Sequence, residues 1–481
     1  MLEAQAHQQL KSLLRQDDGS WPHQLTLSRL VGRSLRRRDK TLITLSPDSR
    51  DRWWLGLLVP LCLRANDCVL VLNQRQRDRL LQIELPKLRN QGVPLACWDG
   101  ATPPTGEQLW LMSSNGLIEA HRNGWLNGRQ LIIPDVDQLS RRLRRSLAIR
   151  IETPDWERLR RAHPQADRHL LDLHERLSRR LFREATHRNA RVRMGGADLQ
   201  ALKDLLRVLQ PSPEPWGRLL QTNPDDWVSW AVLDHNLLQW NWRVAPLEPM
   251  QQLQGLLSAQ PTLLLSCIGE TGHLEQELND AAFEADVSAS LGDSAFQEPI
   301  PIYAPRHQPL PNTEIYADHL LDHSRRLVLG RRGLTIILID DDQLRLGLTS
   351  ALAAEFGSRV KEEVTAPDPN GVISARWSWW LKHQHQLPQP EQLIVGLLPI
   401  ASLTSPLTAA RVERMKRNGD DWFRQLLLPE ALSLLPAAVA PLRCSGGRLA
   451  ILDGRVRGRR WGDQILAALE PWVALNRLLP D

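Results

Sequence analysis

Short runs of consecutive apolar residues punctuate the first third of the chain. They are Thr41–Leu45 (TLITL), Val69–Leu72 (VLVL), Leu109–Met112 (LWLM) and Leu131–Ile133 (LII). Between them, apolar positions recur at helical spacing, as in Trp54–Leu63 and Asp78–Leu88. Continuous apolar strands separated by helices predict a parallel sheet covered on both faces. The alternation stops at Arg141. From there to about Trp240 the chain reads as charged helices, such as HLLDLHERLSRRLFREA and DLQALKDLLRVLQ, divided by the Pro-rich break Gln210–Trp216. No strand is expected in that block. An apolar run returns at Thr262–Ser266 (TLLLS), placed to complete the first sheet. Beyond a Pro-rich connector, Pro299–Pro311, strands are predicted at Leu334–Ile339, Gly371–Ser374, Gln392–Leu397 and Arg448–Leu452. The expected plan is an α/β unit over 1–140 and 241–292, a helical insertion over 141–240, and a second α/β unit over 293–481.

Composition narrows this picture only a little. A chain of 481 residues needs more than one core. The excess of basic over acidic residues, 60 against 55, suits a phosphate-rich partner without requiring one. The five cysteines are scattered, with no CxxC pair. That spacing argues against a disulfide framework, a zinc site or an iron–sulfur cluster, and for a reducing cytoplasm. The 14 histidines show no HExxH-type spacing, so no metal site is expected, and His163, His169 and His174 are read as helix surface. The first residues read as an acid-bearing amphipathic helix, not a signal peptide. The apolar stretch Trp53–Leu63 is too short to span a bilayer, so no membrane association is expected.

The most specific signal lies near the C-terminus. The strand Leu393–Gly396, the turn Leu398–Ile400, the step Pro406–Leu407, the helix start Ala410–Glu413, the phrase GDDWFRQLLLPEAL and the ending RLAILDGRV–RRWGDQILAALEPW follow one another. This series resembles the C-terminal motor domain of DinG/XPD-type helicases of superfamily two. Weaker matches keep the family's order upstream: Pro22-His23-Gln24, LWLMSSNGLIEA, LIIPDVDQL, and the return through WNWRVAPLEPM into TLLLSCIGE. The resemblance implies two RecA-like parallel-sheet domains with a helical arch inserted in the first. It also implies ATP-dependent work on DNA, with Gln24 reading adenine.

The chemistry implied by that resemblance meets an unsuitable sequence. A phosphate cradle needs a Gly-rich loop, a Lys on the phosphates and a Ser/Thr on magnesium. The strand TLITL is followed instead by Ser46-Pro47-Asp48-Ser49-Arg50-Asp51-Arg52, with no Gly and no Lys. Ser46, Ser49, Arg50 and Arg52 are the candidates left for a vestigial nucleotide loop. Where the family carries its acidic box for magnesium and water, the chain has Pro134-Asp135-Val136-Asp137. Asp135 and Asp137 are candidate carboxylates or simple strand-end acids. The last motor motif aligns with Pro436, Ala437, Val439, Ala440 and Arg443, so Arg443 alone is left as an arginine finger, a group worth ~10³-fold or more in rate.

For nucleic acid, Ser114 and Asn115 follow a strand end and are candidate phosphate donors or turn formers. In SARWSWWLKHQH, Trp377 with Arg376 and Lys382 reads either as a base-stacking platform in a basic groove or as core. The basic run Arg141–Arg150 reads as a solvated face or a phosphate contact. The leading expectation is a helicase-derived, repair-associated protein that binds single-stranded or forked DNA, or a protein partner, without hydrolysing ATP. The alternatives are a working helicase using ATP and Mg, and a protein-binding scaffold.

Overall fold

The computed structural model describes residues 2–15, 21–46, 49, 51–64, 67–184, 191–267, 272–292, 298–329 and 331–475. Five strands come first: β1 Thr41–Leu45, β2 Cys68–Val71, β3 Cys97–Trp98, β4 Leu109–Met112 and β5 Gln130–Pro134. The next four are β6 Ile149–Ile151, β7 Arg191–Arg193, β8 Trp227–Asp234 and β9 Gln239–Pro246. Then β10 Thr262–Ser266 and β11 Val287–Leu291 rejoin the first group in a seven-stranded sheet, ordered β11-β1-β10-β5-β2-β4-β3. All its pairings are parallel. The expected return of TLLLS is met: β10 lies directly beside β1, with Thr41 opposite Leu263.

Alternate side chains of these strands feed two separate cores. Ile43, Leu70, Ile132, Leu263 and Leu265 pack on one face, and Val69, Val71, Leu131, Ile133 and Leu264 on the other. This is why the strands read as unbroken apolar runs. The first face is covered by α1 (Leu2–Leu14), α2 (Gln24–Arg37) and α3 (Trp54–Leu63). Gly56 of α3 sits against α2 so closely that a Cβ there would stand 3.0 Å from the Gln24 carbonyl oxygen and from Leu27.

The inserted segment differs from expectation. It is not helical throughout: β6 to β9 form a four-stranded antiparallel sheet ordered β6-β9-β8-β7, packed on helices. Its own core holds Trp156, Trp216, Trp240 and Trp242, with Trp156 and Trp216 edge to face at 4.7 Å. His174 stacks on Trp240 at 5.4 Å and is part of this aromatic group, not surface decoration. The helix Leu139–Leu147 belongs to the first unit, since Leu139, Leu143 and Leu147 pack in its core. The insertion therefore occupies 149–246, not 141–240.

The second unit adds β12 Ile300–Tyr303, β13 Thr335–Leu338, β14 Val360–Glu362, β15 Val372–Ala375, β16 Gln392–Val395, β17 Arg448–Ile451 and β18 Trp472–Ala474. They form a parallel sheet ordered β14-β15-β13-β16-β17-β12-β18. Here too Ile336, Leu338, Leu393 and Val395 point to one core, and Ile337 and Ile394 to the other. The span Phe423–Ser445, 23 residues with mean hydropathy 1.4, is long and apolar enough to cross a membrane, unlike the shorter stretch Trp53–Leu63. In the fold its residues Leu428, Leu435, Ala438, Val439 and Leu442 pack into the second core. The five cysteines are free thiols.

Candidate nucleotide cleft and interdomain face

The turn after β1 is the place where a phosphate cradle would be. Three of its described amides are bonded within the chain. The Ser46 N–H donates to the Leu291 carbonyl at 2.9 Å, Ser49 N–H to the Ser46 carbonyl at 2.9 Å, and Arg52 N–H to the Ser49 carbonyl at 2.9 Å. Ser49 is 1% exposed. Ser46 is buried against Gly292, where a Cβ would stand 2.7 Å from Ser46 Oγ and 3.3 Å from the His23 ring. Gly292 has φ of +88°, a conformation suited to glycine. Pro47, Asp48 and the candidate Arg50 lie outside the described residues. At the start of α3, where such a motor puts its Lys and Ser/Thr, the chain has Arg52-Trp53-Trp54. The two indoles stack at 4.4 Å and are buried.

Gln24 does not face an open adenine site. It is 2% exposed, and its side-chain amide donates to the Arg52 carbonyl at 2.7 Å. Asp51, whose negative charge already argued against a phosphate here, accepts from Arg75 Nη2 at 2.9 Å and from Arg79 Nη1 at 3.0 Å. A carboxylate of the chain itself thus takes up two guanidinium groups beside the β1 turn.

Asp135 and Asp137 do come together at the C-terminal edge of the first sheet, but in different settings. Asp135 adopts left-handed backbone, φ +60°, and its carboxylate faces Asn73 Nδ2 at 3.5 Å. Burial pushes its pKa up to about 7, against the pull of Arg142. Asp137 is fully engaged: Ser266 Oγ donates to Oδ1 at 2.7 Å and the Cys267 N–H to Oδ2 at 2.7 Å. Burial pushes it up to about 6 despite these donors. It ties the end of β5 to the end of β10. Among the described residues no group of His, Cys, Asp or Glu is arranged to hold a metal ion. Among the described residues no Lys stands at this turn and the Ser46, Ser49 and Arg52 amides are bonded within the chain, so these residues do not fit the phosphates of a magnesium nucleotide.

The remaining candidates are corrected one by one. Arg443 is no finger: its guanidinium clamps the carbonyls of Glu298, Pro471, Leu469 and Glu470 at the β12–β18 edge, at 2.5 to 3.2 Å. Trp377 is no platform: it is 2% exposed, and Nε1 donates to the Leu397 carbonyl at 2.9 Å. Trp380 is likewise buried, on the Ala438 carbonyl. Arg376 is held bidentately by Glu363, with both nitrogens at 2.8 Å, which removes it from a phosphate groove. Lys382 is exposed. Ser113 caps the helix Ser114–Arg122, burying Ser114, while exposed Asn115 bonds Glu119 at 2.9 Å, a helix-surface role. The run Arg141–Arg150 divides: Arg145 and Arg150 are exposed, while Arg142 donates to the Asp135 carbonyl at 3.1 Å and Arg144 to the Leu247 carbonyl at 3.2 Å.

A charged interface across the units also went unread. The helix Pro406–Asn418 of the second unit lies on the insertion's sheet, where Val228, Leu247 and Ala410 are buried together. Around them Arg411 pairs with Glu430 at 2.5 Å and with Glu248 of the first unit at 3.6 Å. Arg414 reaches Asp226 at 3.4 Å, and Arg193 reaches Glu413 at 2.6 Å. Arg411 is buried, and its guanidinium holds Glu430 below the ordinary carboxylate range although burial alone pushes it up. Nothing local in the sequence marks these pairs, which join residues far apart in the chain.

Two parallel seven-stranded units, the first split by an insertion, define the two-RecA-domain fold of the XPD-type helicases. The fold matches an apo XPD structure with a TM-score of 0.60 at 9% identity, over 94% of this chain and 100% of that one. It matches the S. tokodaii Xpd4 structure with a TM-score of 0.59 at 11% identity, over 92% and 98%. In sequence, 85 residues are 33% identical to the ATP-dependent DNA helicase DinG of Photobacterium profundum, covering 17% of this chain and 12% of that helicase. No family model matches the chain. The resemblance to DinG/XPD-type helicases read from the sequence is borne out in the fold.

Proposed function

We propose that the chain is a helicase-fold protein that binds nucleic acid without turning over ATP, acting in the cytoplasm. The observation that carries this is the closed β1 turn. The amides of Ser46, Ser49 and Arg52, the Gln24 side-chain N–H and the Asp51–Arg75–Arg79 group are bonded within the chain, while the Gln24 side-chain carbonyl is buried without a partner. Phosphoryl transfer rests almost wholly on positioning and electrostatic stabilisation of the phosphates. A site whose donors are already spent lacks both. The curated relative is named an ATP-dependent DNA helicase. Its DNA is the part of that description carried over here, as single-stranded or forked DNA. The ATP-dependent step is not carried over.

The test is phosphate release from magnesium-ATP with single-stranded DNA, compared with an Asp135→Ala variant. Equal rates at background, together with salt-sensitive DNA binding by anisotropy, are expected. A rate that DNA stimulates and the variant loses would establish a divergent working helicase. Absence of DNA binding at low salt would leave a protein scaffold, favoured by the pinned interdomain face.

A further inference from the structure

In the first unit, α1 and α2 line an open groove of about 790 Å³ that shares no residue with the β1 turn. Its walls include Arg29, Arg33 and Arg36 of α2, spaced four and three residues apart, so that they share one helix face. Opposite them stand Glu3 and His7 of α1, and Thr26 adds a hydroxyl. Together the two helices carry five Lys or Arg residues and one acid. That acid, Glu3, is taken by Arg36 at 2.7 Å. Arg29 touches only the His7 ring at 3.4 Å, and Arg33 has no hydrogen-bond or ion-pair partner among the described residues. Two guanidinium groups therefore face a concave surface with no carboxylate to neutralise them. Neither helix adds a large exposed apolar side chain, which a membrane-inserting surface would need.

We infer that the α1–α2 groove holds the phosphate backbone of a nucleic-acid strand. The inference rests on the nucleic-acid reading above and gives it a surface outside the motor cleft. Guanidinium forks match phosphate oxygens, and adjacent hydroxyl and imidazole groups are suited to the same contacts. Recognition is of backbone, so sequence preference is weak. An acidic peptide is the competing occupant.

The experiment uses the full chain, the double variant Arg29→Gln/Arg33→Gln, and Arg326→Gln, in an exposed pair of the second unit, as a control that should bind like the wild type. Labelled single-stranded DNA is titrated by anisotropy over a range of salt. The groove variant should bind about tenfold more weakly, with its salt slope reduced by about 1.4, two contacts at about 0.7 each. Far-ultraviolet circular dichroism should match the wild type, since Gln keeps the stems at these positions. A groove variant whose affinity and slope equal those of wild type would overturn the groove assignment while leaving DNA binding intact. A wild type that binds no DNA would overturn both. Displacement of DNA by poly-glutamate at equal charge concentration, lost in the variant, would assign the groove to acidic peptides instead and overturn the inference.

Discussion

Replacing Trp377 by Ala separates core packing from base stacking. The indole is 2% exposed and lies in the second core with Trp380, Leu393 and Leu435. Truncating a buried Trp costs ~3–5 kcal/mol through lost burial and the cavity left behind. The Leu397 carbonyl also loses the Nε1–H donor that reaches it at 2.9 Å. For a unit of this size each kcal/mol shifts Tm by ~2–4 °C, so Trp377→Ala should lower the melting temperature by ~6–20 °C. Trp377→Phe keeps most of the apolar volume and should fall between wild type and Ala. Differential scanning calorimetry of the three proteins, with DNA anisotropy well below the melting range, gives both readouts. Affinity for DNA should be unchanged where the variant is folded. An unchanged Tm with DNA binding weakened fivefold or more would refute the core placement and restore a stacking role.

Three further outcomes follow from the same geometry. Arg411→Ala removes a buried cation from half-buried Glu430 and Glu248 and should cost ~1–3 kcal/mol by chemical denaturation, whereas Arg193→Ala, in an exposed pair, should cost below ~1 kcal/mol. Equal effects would mean that the interface is not buried in solution. Asp135, with its folded pKa pushed up to about 7, holds its proton more tightly folded than unfolded. Its contribution is complete below the ordinary carboxylate pKa and is lost as pH rises toward 7. Asp135→Asn should therefore raise Tm at pH 8 and lose that advantage near pH 4; a gain that grows on acidification would contradict the assignment. Ser266→Ala removes one of two donors to Asp137 and should lower Tm at pH 8 more than at pH 4.

The central strands of the two sheets were legible because they are buried on both faces and read as unbroken apolar runs, whereas the outer strands β3, β11, β12, β14 and β18 are partly exposed and were not expected. The insertion's sheet was not, because β8 and β9 are half-exposed and alternate. In β9, Trp240, Trp242 and Val244 point inward between polar neighbours, a period of two that was available in QWNWRVAP. The four-residue turn 235–238 between β8 and β9 was the second missed signal. Loss of the cradle residues was legible as missing Gly and Lys. What replaced them was not, because Asp51 meets Arg75 and Arg79 only once β1 and β2 lie in one sheet. Trp377 and Arg376 misled for a related reason. Aromatic and basic residues interleaved along a helix look alike whether the rings face in or out, and only the sheet beneath and Glu363 decide it.

The central claim, that the motor cleft is closed to nucleotide, is tested most directly by calorimetric titration with magnesium and a non-hydrolysable ATP analogue. The expected result is no saturable heat up to about 1 mM, the upper end of ordinary substrate affinities. Saturable binding that Arg52→Ala abolishes would contradict the account.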